Sequence, residues 1–151
     1  AGQDIRKTIL ESKIPDEIQK IWNLVKKARD KAIAYDTEQI LNNRPFYGWE
    51  IDKVARDYFE SEGYGEYFRH RLGHSIGQEV HGNAVHLDSL ETKDTREIVP
   101  GVLHSVEPGL YLPEKEIGIR SEVDVYVDNE RKVKITGPKQ DSIYTIKVNK
   151  G

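Results

Sequence analysis

The chain contains neither cysteine nor methionine in its 151 residues. Without cysteine there are no disulfides and no thiolate ligands, so any metal would have to be held by imidazole and carboxylate groups; this also fits a reducing compartment. A chain that opens on Ala1 and lacks methionine throughout reads as a processed terminus or the cut end of something longer. No stretch approaches the roughly 20 apolar residues of a membrane span, and no charged-then-apolar leader opens the chain, so the expected location is cytoplasmic. The 23 basic and 26 acidic residues are interspersed, for a net charge of −3, and form no continuous basic stripe. Nucleic acid and membrane are therefore not expected partners. The length suits one domain able to bury a substantial core.

Two helical patterns come first. From Pro15, residues Ile18, Ile21, Trp22, Val25, Ala28, Ala32 and Tyr35 recur at three- and four-residue steps, which puts them on one face of a long amphipathic helix with Trp22 in the core. Pro15 suits the first helical position, with Asp16 and Glu17 following in the first turn. After the polar connection Asn42-Asn43-Arg44-Pro45, residues Ile51, Val54, Ala55 and Tyr58 mark a second helix that Gly63 ends. Two helices followed by strands predict an α+β layer with an antiparallel sheet. Residues 82 to 100 read as a long polar loop. Val102 to Leu112 and Ile117 to Val127 read as two paired strands, and Lys132 to Lys147 as one or two edge strands with a turn at Thr136-Gly137-Pro138. Asp4-Ile5-Arg6-Lys7-Thr8 alternates as a strand does.

Between His70 and Val127 chemistry and burial conflict. Val80, Val106, Val123, Val125 and Val127 are strand formers that favour burial, yet His74, Glu107 and Glu122 lie among them. An unpartnered buried charge is very costly, and a metal ion is one partner that would relieve two carboxylates and an imidazole together. Periodicity alone assigns the face of Gly118, Arg120, Glu122, Asp124 and Tyr126 to solvent, and Glu107-Pro108-Gly109 alone reads as a strand end. A regular strand from Gly73 to His81 would turn His81 away from His74, so joining both to one site requires a bulge, least costly at Gly77. His86 reads as a surface histidine.

Three segments together carry a resemblance. His70 to His81 follows H-x-x-G-H-x-I-G-x-x-V-H, Ser105 to Tyr111 follows S-V-E-P-G-x-Y, and Gly118 to Glu122 follows G-[IV]-R-x-E. In that order and spacing they resemble the Xaa-Pro dipeptidase and aminopeptidase (prolidase-like) branch of the methionine-aminopeptidase-like metallopeptidases, whose catalytic domain has the pita-bread fold. The resemblance implies residues 1–151 as the C-terminal part of that domain, without its upstream part and N-terminal domain. It also implies two divalent ions (manganese, cobalt, zinc or iron) held by two aspartates, one histidine and two glutamates. Four positions match: Asp4, His74, Glu107 and Glu122. Asp4 stands in a D-[IF]-x-R-T run that has Lys7 in place of arginine, and by itself it reads as an exposed terminal acid. In the family the second aspartate lies upstream of that run, so the sequence in hand is expected to carry an incomplete site. Gly82-Asn83-Ala84 departs from the family's Glu-x-Pro.

By the same resemblance, Glu107 would shuttle a proton to the leaving amine, His70 and His81 would donate to the substrate carbonyl and oxyanion, and Arg120 would orient Glu122. The implied substrate is a short proline-containing peptide, and a homodimer is a possible assembly. Two alternatives stay open at this level: an inert pita-bread module that binds peptides or proteins, and an amidohydrolase of the creatine-cleaving kind, which uses similar histidines without the full metal set.

Overall fold

A computed structural model describes residues 14–76 and 85–144. Helix α1 spans Asp16–Leu41 and α2 spans Gly48–Ser61. Five short strands follow: β1 (Leu103–Val106), β2 (Gly109–Leu112), β3 (Ile117–Arg120), β4 (Val123–Val127) and β5 (Val133–Thr136). The α+β expectation holds.

Helix α1 buries the stripe that its periodicity predicts. Ile21, Trp22, Val25, Ala28 and Ala32 are at most 1% exposed, while Ile18 and Tyr35 pack at its margin. Pro15 stands one residue ahead of the first helical position, and its carbonyl accepts the Gln19 amide at 3.0 Å. The same stripe also holds Arg29 and Asp36, both 0% exposed, which periodicity did not anticipate. Helix α2 buries Ile51, Ala55 and Phe59 and leaves Val54 and Tyr58 half-buried, so its inner face is rotated from the expected one. Gly63, at φ 84°, ends it in the left-handed conformation that glycine adopts without penalty.

Helix α2 also fixes the chain that follows. Buried Asp52 receives both branches of the Arg56 guanidinium, at 2.9 and 3.1 Å, together with the Leu72 amide at 2.9 Å and the Ser89 hydroxyl. Arg56 in turn donates to the carbonyls of Phe68 and His70. The result is a charge-assisted clamp on residues 68–72, immediately before His74.

The two long strands expected from Val102 to Leu112 and from Ile117 to Val127 do pair, but each is broken. β1 pairs antiparallel with β4, from Leu103↔Tyr126 to Val106↔Val123, and β2 with β3, from Gly109↔Arg120 to Leu112↔Ile117. One register runs through both ladders, so Glu107 falls opposite Glu122 and Pro108 opposite Ser121 in the gap. Pro108 has no amide to give a ladder, and only its carbonyl is used, by the Ser121 amide at 3.2 Å. β5 pairs with β4 as an edge strand and ends at a turn where Gly137 has φ 81°.

Residues 72–76 run beside β1 as an extended segment. The Glu107 amide bonds the Leu72 carbonyl, the Ser105 amide the His74 carbonyl and the Ile76 amide the Leu103 carbonyl, at 2.7 to 2.9 Å. On the outer side, Gly73 bridges Leu87. Residues 85–100 form the expected loop, pinned by buried Asp88 and Asp94 accepting nearby amides. The bulge expected at Gly77 lies outside the described residues.

Directly opposed antiparallel residues have Cα atoms about 4.5 to 5.5 Å apart, within reach of a disulfide. In a chain without cysteine, Glu107→Cys/Glu122→Cys is expected to oxidise to a single intramolecular disulfide. Non-reducing mass spectrometry showing free thiols or intermolecular dimers would contradict this register.

Candidate metal centre

Alternation along the hairpin sorts its side chains onto two faces. Val106, Leu110, Ile119, Ser121, Val123 and Val125 are buried among the core residues. Ser105, Glu107, Arg120, Glu122 and Asp124 share the other face, together with His74 from the neighbouring segment. Solvent does not own this second face as periodicity alone suggested: Glu107 is 9% and Glu122 8% exposed.

His74, Glu107 and Glu122 each bring one ligand atom within 4.8 Å of the other two. His74 Nδ1 lies 2.9 Å from the Ser75 carbonyl, to which it donates, so in the neutral ring Nε2 is the nitrogen that carries the lone pair. That nitrogen lies 3.1 Å from Glu107 Oε1. Ser105 ties the two residues together, accepting the His74 amide at 3.0 Å and donating to Glu107 Oε1 at 3.1 Å. Arg120 Nη1 stands 3.7 Å from Glu107 Oε2, so this guanidinium serves Glu107 as well as offsetting the charge at Glu122. The His74 side chain is 40% exposed, so the site opens to solvent on its side.

Among the described residues on this face the charges do not balance: Glu107, Glu122 and Asp124 are set against Arg120, and one Asp124 oxygen is buried with no hydrogen-bond partner among them. Burial first, then the negative charges of Glu107 and Asp124, push the Glu122 carboxyl above its ordinary 4.5, with Arg120 pulling the other way. Burial and then Glu107 also push the Tyr111 phenol up. A divalent cation fits this donor set. One imidazole lone pair and two carboxylates converge on a space whose field is already negative, which is the chemistry of a zinc, manganese, cobalt or iron site.

His70 borders the site. Its Nδ1 donates to the Arg71 carbonyl at 2.7 Å, and its Nε2 is buried without a hydrogen-bond partner among the described residues. A side chain built on Gly109 would come within 3.1 Å of His70 Nε2, Tyr111 Oη and Arg120 Cβ, so the bare glycine keeps open a space where all three meet. In this tautomer Nε2 is an acceptor, so His70 donates to a substrate carbonyl only as imidazolium. His86 is not the surface residue it was read as. It is half-buried, and the Gly73 to Leu87 bridge sets it opposite His74, where its Nδ1 receives the Ser75 amide at 3.4 Å. Burial, Arg71 and Arg96 all favour its neutral form. Asp4 and His81 lie outside the described residues. Ser105, Tyr111 and Asp124 were given no role by the sequence reading, although Ser105 is in phase with Glu107 and Asp124 with Glu122 along their strands.

The known proteins similar to this chain are peptidases by their names. A family model described as metallopeptidase family M24 matches residues 3–129. An uncharacterized peptidase of Staphylococcus epidermidis is 36% identical over 125 residues, covering 82% of this chain and 32% of that protein. One of Bacillus subtilis is 31% identical over 138 residues, covering 91% and 36%. Among solved structures, a Xaa-Pro dipeptidase from Bacillus anthracis superposes with a TM-score of 0.70 at 31% identity, covering 91% of this chain and 36% of that one. A dipeptidase from Pyrococcus horikoshii gives 0.71 at 27% identity, covering 89% and 34%. The chain spans about a third of the length of the relatives it matches. Its architecture is part of the prolidase pita-bread domain.

Two outcomes are expected. A Cβ on Gly73 would lie 2.0 Å from the Ser105 carbonyl oxygen, so Gly73→Ala should push the His74 segment off β1 and destabilise by about 1 to 3 kcal/mol in urea denaturation. Glu122 binds its proton more tightly folded than unfolded, so its contribution to metal-free stability declines as pH rises from 4.5 toward its raised value. Melts in chelator should show a steeper loss of Tm with rising pH for the parent than for Glu122→Gln. Parallel slopes would remove the charge crowding inferred at this carboxylate.

Proposed function

Because the chain belongs to metallopeptidase family M24, we propose that it supplies the metal-binding and proton-transferring part of an enzyme that hydrolyses the peptide bond before proline in a dipeptide or short peptide. The observation that carries this is the convergence of His74, Glu107 and Glu122 within 4.8 Å on a largely buried sheet face. The Xaa-Pro preference is supported by the activity named for the Bacillus anthracis neighbour. Residues 1–151 are read as the C-terminal part of the catalytic domain, and the enzyme as a cytoplasmic one acting with two ions. Among the described residues no helix is long and apolar enough to cross a membrane.

His74 Nε2, Glu107 and Glu122 would hold a divalent ion, with Asp4 and a further aspartate completing a pair. Such a centre, when bound, polarises the scissile carbonyl and makes hydroxide available near neutral pH. Glu107 stands between a hydroxyl donor on Oε1 and Arg120 at Oε2, which fixes its direction, so as a carboxylate it can take a proton from the attacking water and return it to the leaving amine. His70, as imidazolium, donates from Nε2 toward the substrate over Gly109. Glu122 faces Glu107 and closes the cation site from the other strand.

The test joins this chain to an upstream strand bearing the additional aspartate, loads it with manganese or cobalt, and measures cleavage of an Xaa-Pro dipeptide. Cleavage is expected to stop with chelator and to fall ~10²- to 10⁴-fold in Glu107→Gln, while the 151-residue chain alone binds metal without appreciable turnover. No cleavage by the completed protein under any divalent metal would refute the proposal.

A further inference from the structure

Arg29 and Asp36 lie seven residues apart on α1, two turns along one face, and both are 0% exposed. Each reaches the back of the hairpin at a residue adjacent to the metal site. Arg29 Nη1 donates to Ser121 Oγ at 2.9 Å and to the Gln140 carbonyl at 2.6 Å. Its Nε meets Asp30 at 3.0 Å and its Nη2 meets Asp141 at 3.3 Å. Ser121 sits in the strand break, between Arg120 and Glu122. Asp36 Oδ2 lies 2.9 Å from His104 Nε2, and His104 Nδ1 lies 3.1 Å from the Ser105 carbonyl. His104 immediately precedes Ser105, the residue that bonds both His74 and Glu107.

Stability alone does not account for these contacts. Asp36 leaves its second oxygen buried without a hydrogen-bond partner among the described residues, an arrangement that apolar side chains of similar volume would avoid. The surrounding positions of the stripe, Ile21, Val25, Ala28 and Ala32, are apolar as a helix behind a sheet requires. Three polar residues of α1 are buried, Arg29, Asp36 and Gln39 near its C-terminal end, and the two that are 0% exposed, Arg29 and Asp36, fall where the sheet carries site residues on its other face.

We propose that Arg29 and the Asp36–His104 pair are positioning residues: two struts from α1, one behind Ser121 and one behind Ser105, that set the separation and register of Glu107, Glu122 and His74 across the broken hairpin. This rests on the metal-centre reading above and adds to it the means by which the first helix controls the geometry. An apolar replacement would keep the helix docked, but it would release the strand break from the fixed directions that a hydrogen bond imposes.

The test separates geometry from stability with two readouts in the 151-residue chain. Manganese(II) affinity is measured by the electron paramagnetic resonance of the free ion, and the Glu107→Cys/Glu122→Cys disulfide is equilibrated with glutathione without metal. Both are compared in the parent and in Asp36→Leu/His104→Phe at a temperature where both are folded. The expected result is an unfolding temperature near the parent's, manganese binding weakened ~10-fold, the order seen when groups orienting metal ligands are removed, and a lower fraction of disulfide at the same glutathione ratio. Affinity and disulfide both unchanged would overturn the struts. A parent chain that binds no manganese would refute the functional reading, while a shifted disulfide would still support the struts. Should the double variant not fold, Ser121→Ala removes one contact of the Arg29 strut with little change in volume and is read in the same two ways.

Discussion

Two glutamates placed opposite each other on a largely buried sheet face are the constraint around which this molecule is arranged. Glu107 and Glu122 occupy the gap between two ladders that share one register, and neither is more than 9% exposed. Like charges directly across a strand pair destabilise it, and burial strengthens their repulsion. Such a pair persists where something compensates it. Arg120 and the Ser105 hydroxyl compensate in part on the Glu107 side, and the rise in the Glu122 proton affinity records what remains.

The scaffold keeps that arrangement from relaxing by tying each element of the site to something rigid. The Asp52–Arg56 pair on α2 grips the backbone of residues 68–72, and close approach at Gly73 sets the next segment against β1. Ser105 joins the His74 amide to the Glu107 carboxylate. Pro108, which has no amide to give, interrupts the ladder beside the opposed Glu107 and Glu122 while the register on either side of the gap stays the same. Rigidity here has a chemical purpose, because a metal ligand that can swing away binds weakly.

Much of this was legible in the residues, for identifiable reasons. The α1 stripe was readable because it contains enough apolar residues at helical spacing, and the paired strands because valines alternate along them. The candidate ligands His74, Glu107 and Glu122 could be named because charge among strand formers is a local anomaly, and because three motifs coincide. What could not be read was tertiary. Arg29 and Asp36 look like solvated helix positions until the sheet behind them is known. His86 looks like a loop histidine until the bridge between Gly73 and Leu87 places it opposite His74. The α2 face was misplaced by a fraction of a turn because Asp52, a charged residue, belongs to the interior through its pairing with Arg56.

The same electrostatics favours a metal over a purely protein-binding use of this surface. A peptide or protein surface offering one ammonium or guanidinium could neutralise a single carboxylate, but here Glu107, Glu122 and Asp124 face Arg120 on one small patch, and His74 in its neutral form presents the Nε2 lone pair to it. A lone pair aimed at a carboxylate oxygen 3.1 Å away repels it unless a proton or a cation lies between them. A proton there would satisfy His74 and Glu107 but leave Glu122 with only the partial offset of Arg120, whereas one divalent ion answers all three donors at once. An inert binding module would gain more from losing one glutamate than from keeping both, so the retained pair is itself an argument for the metal.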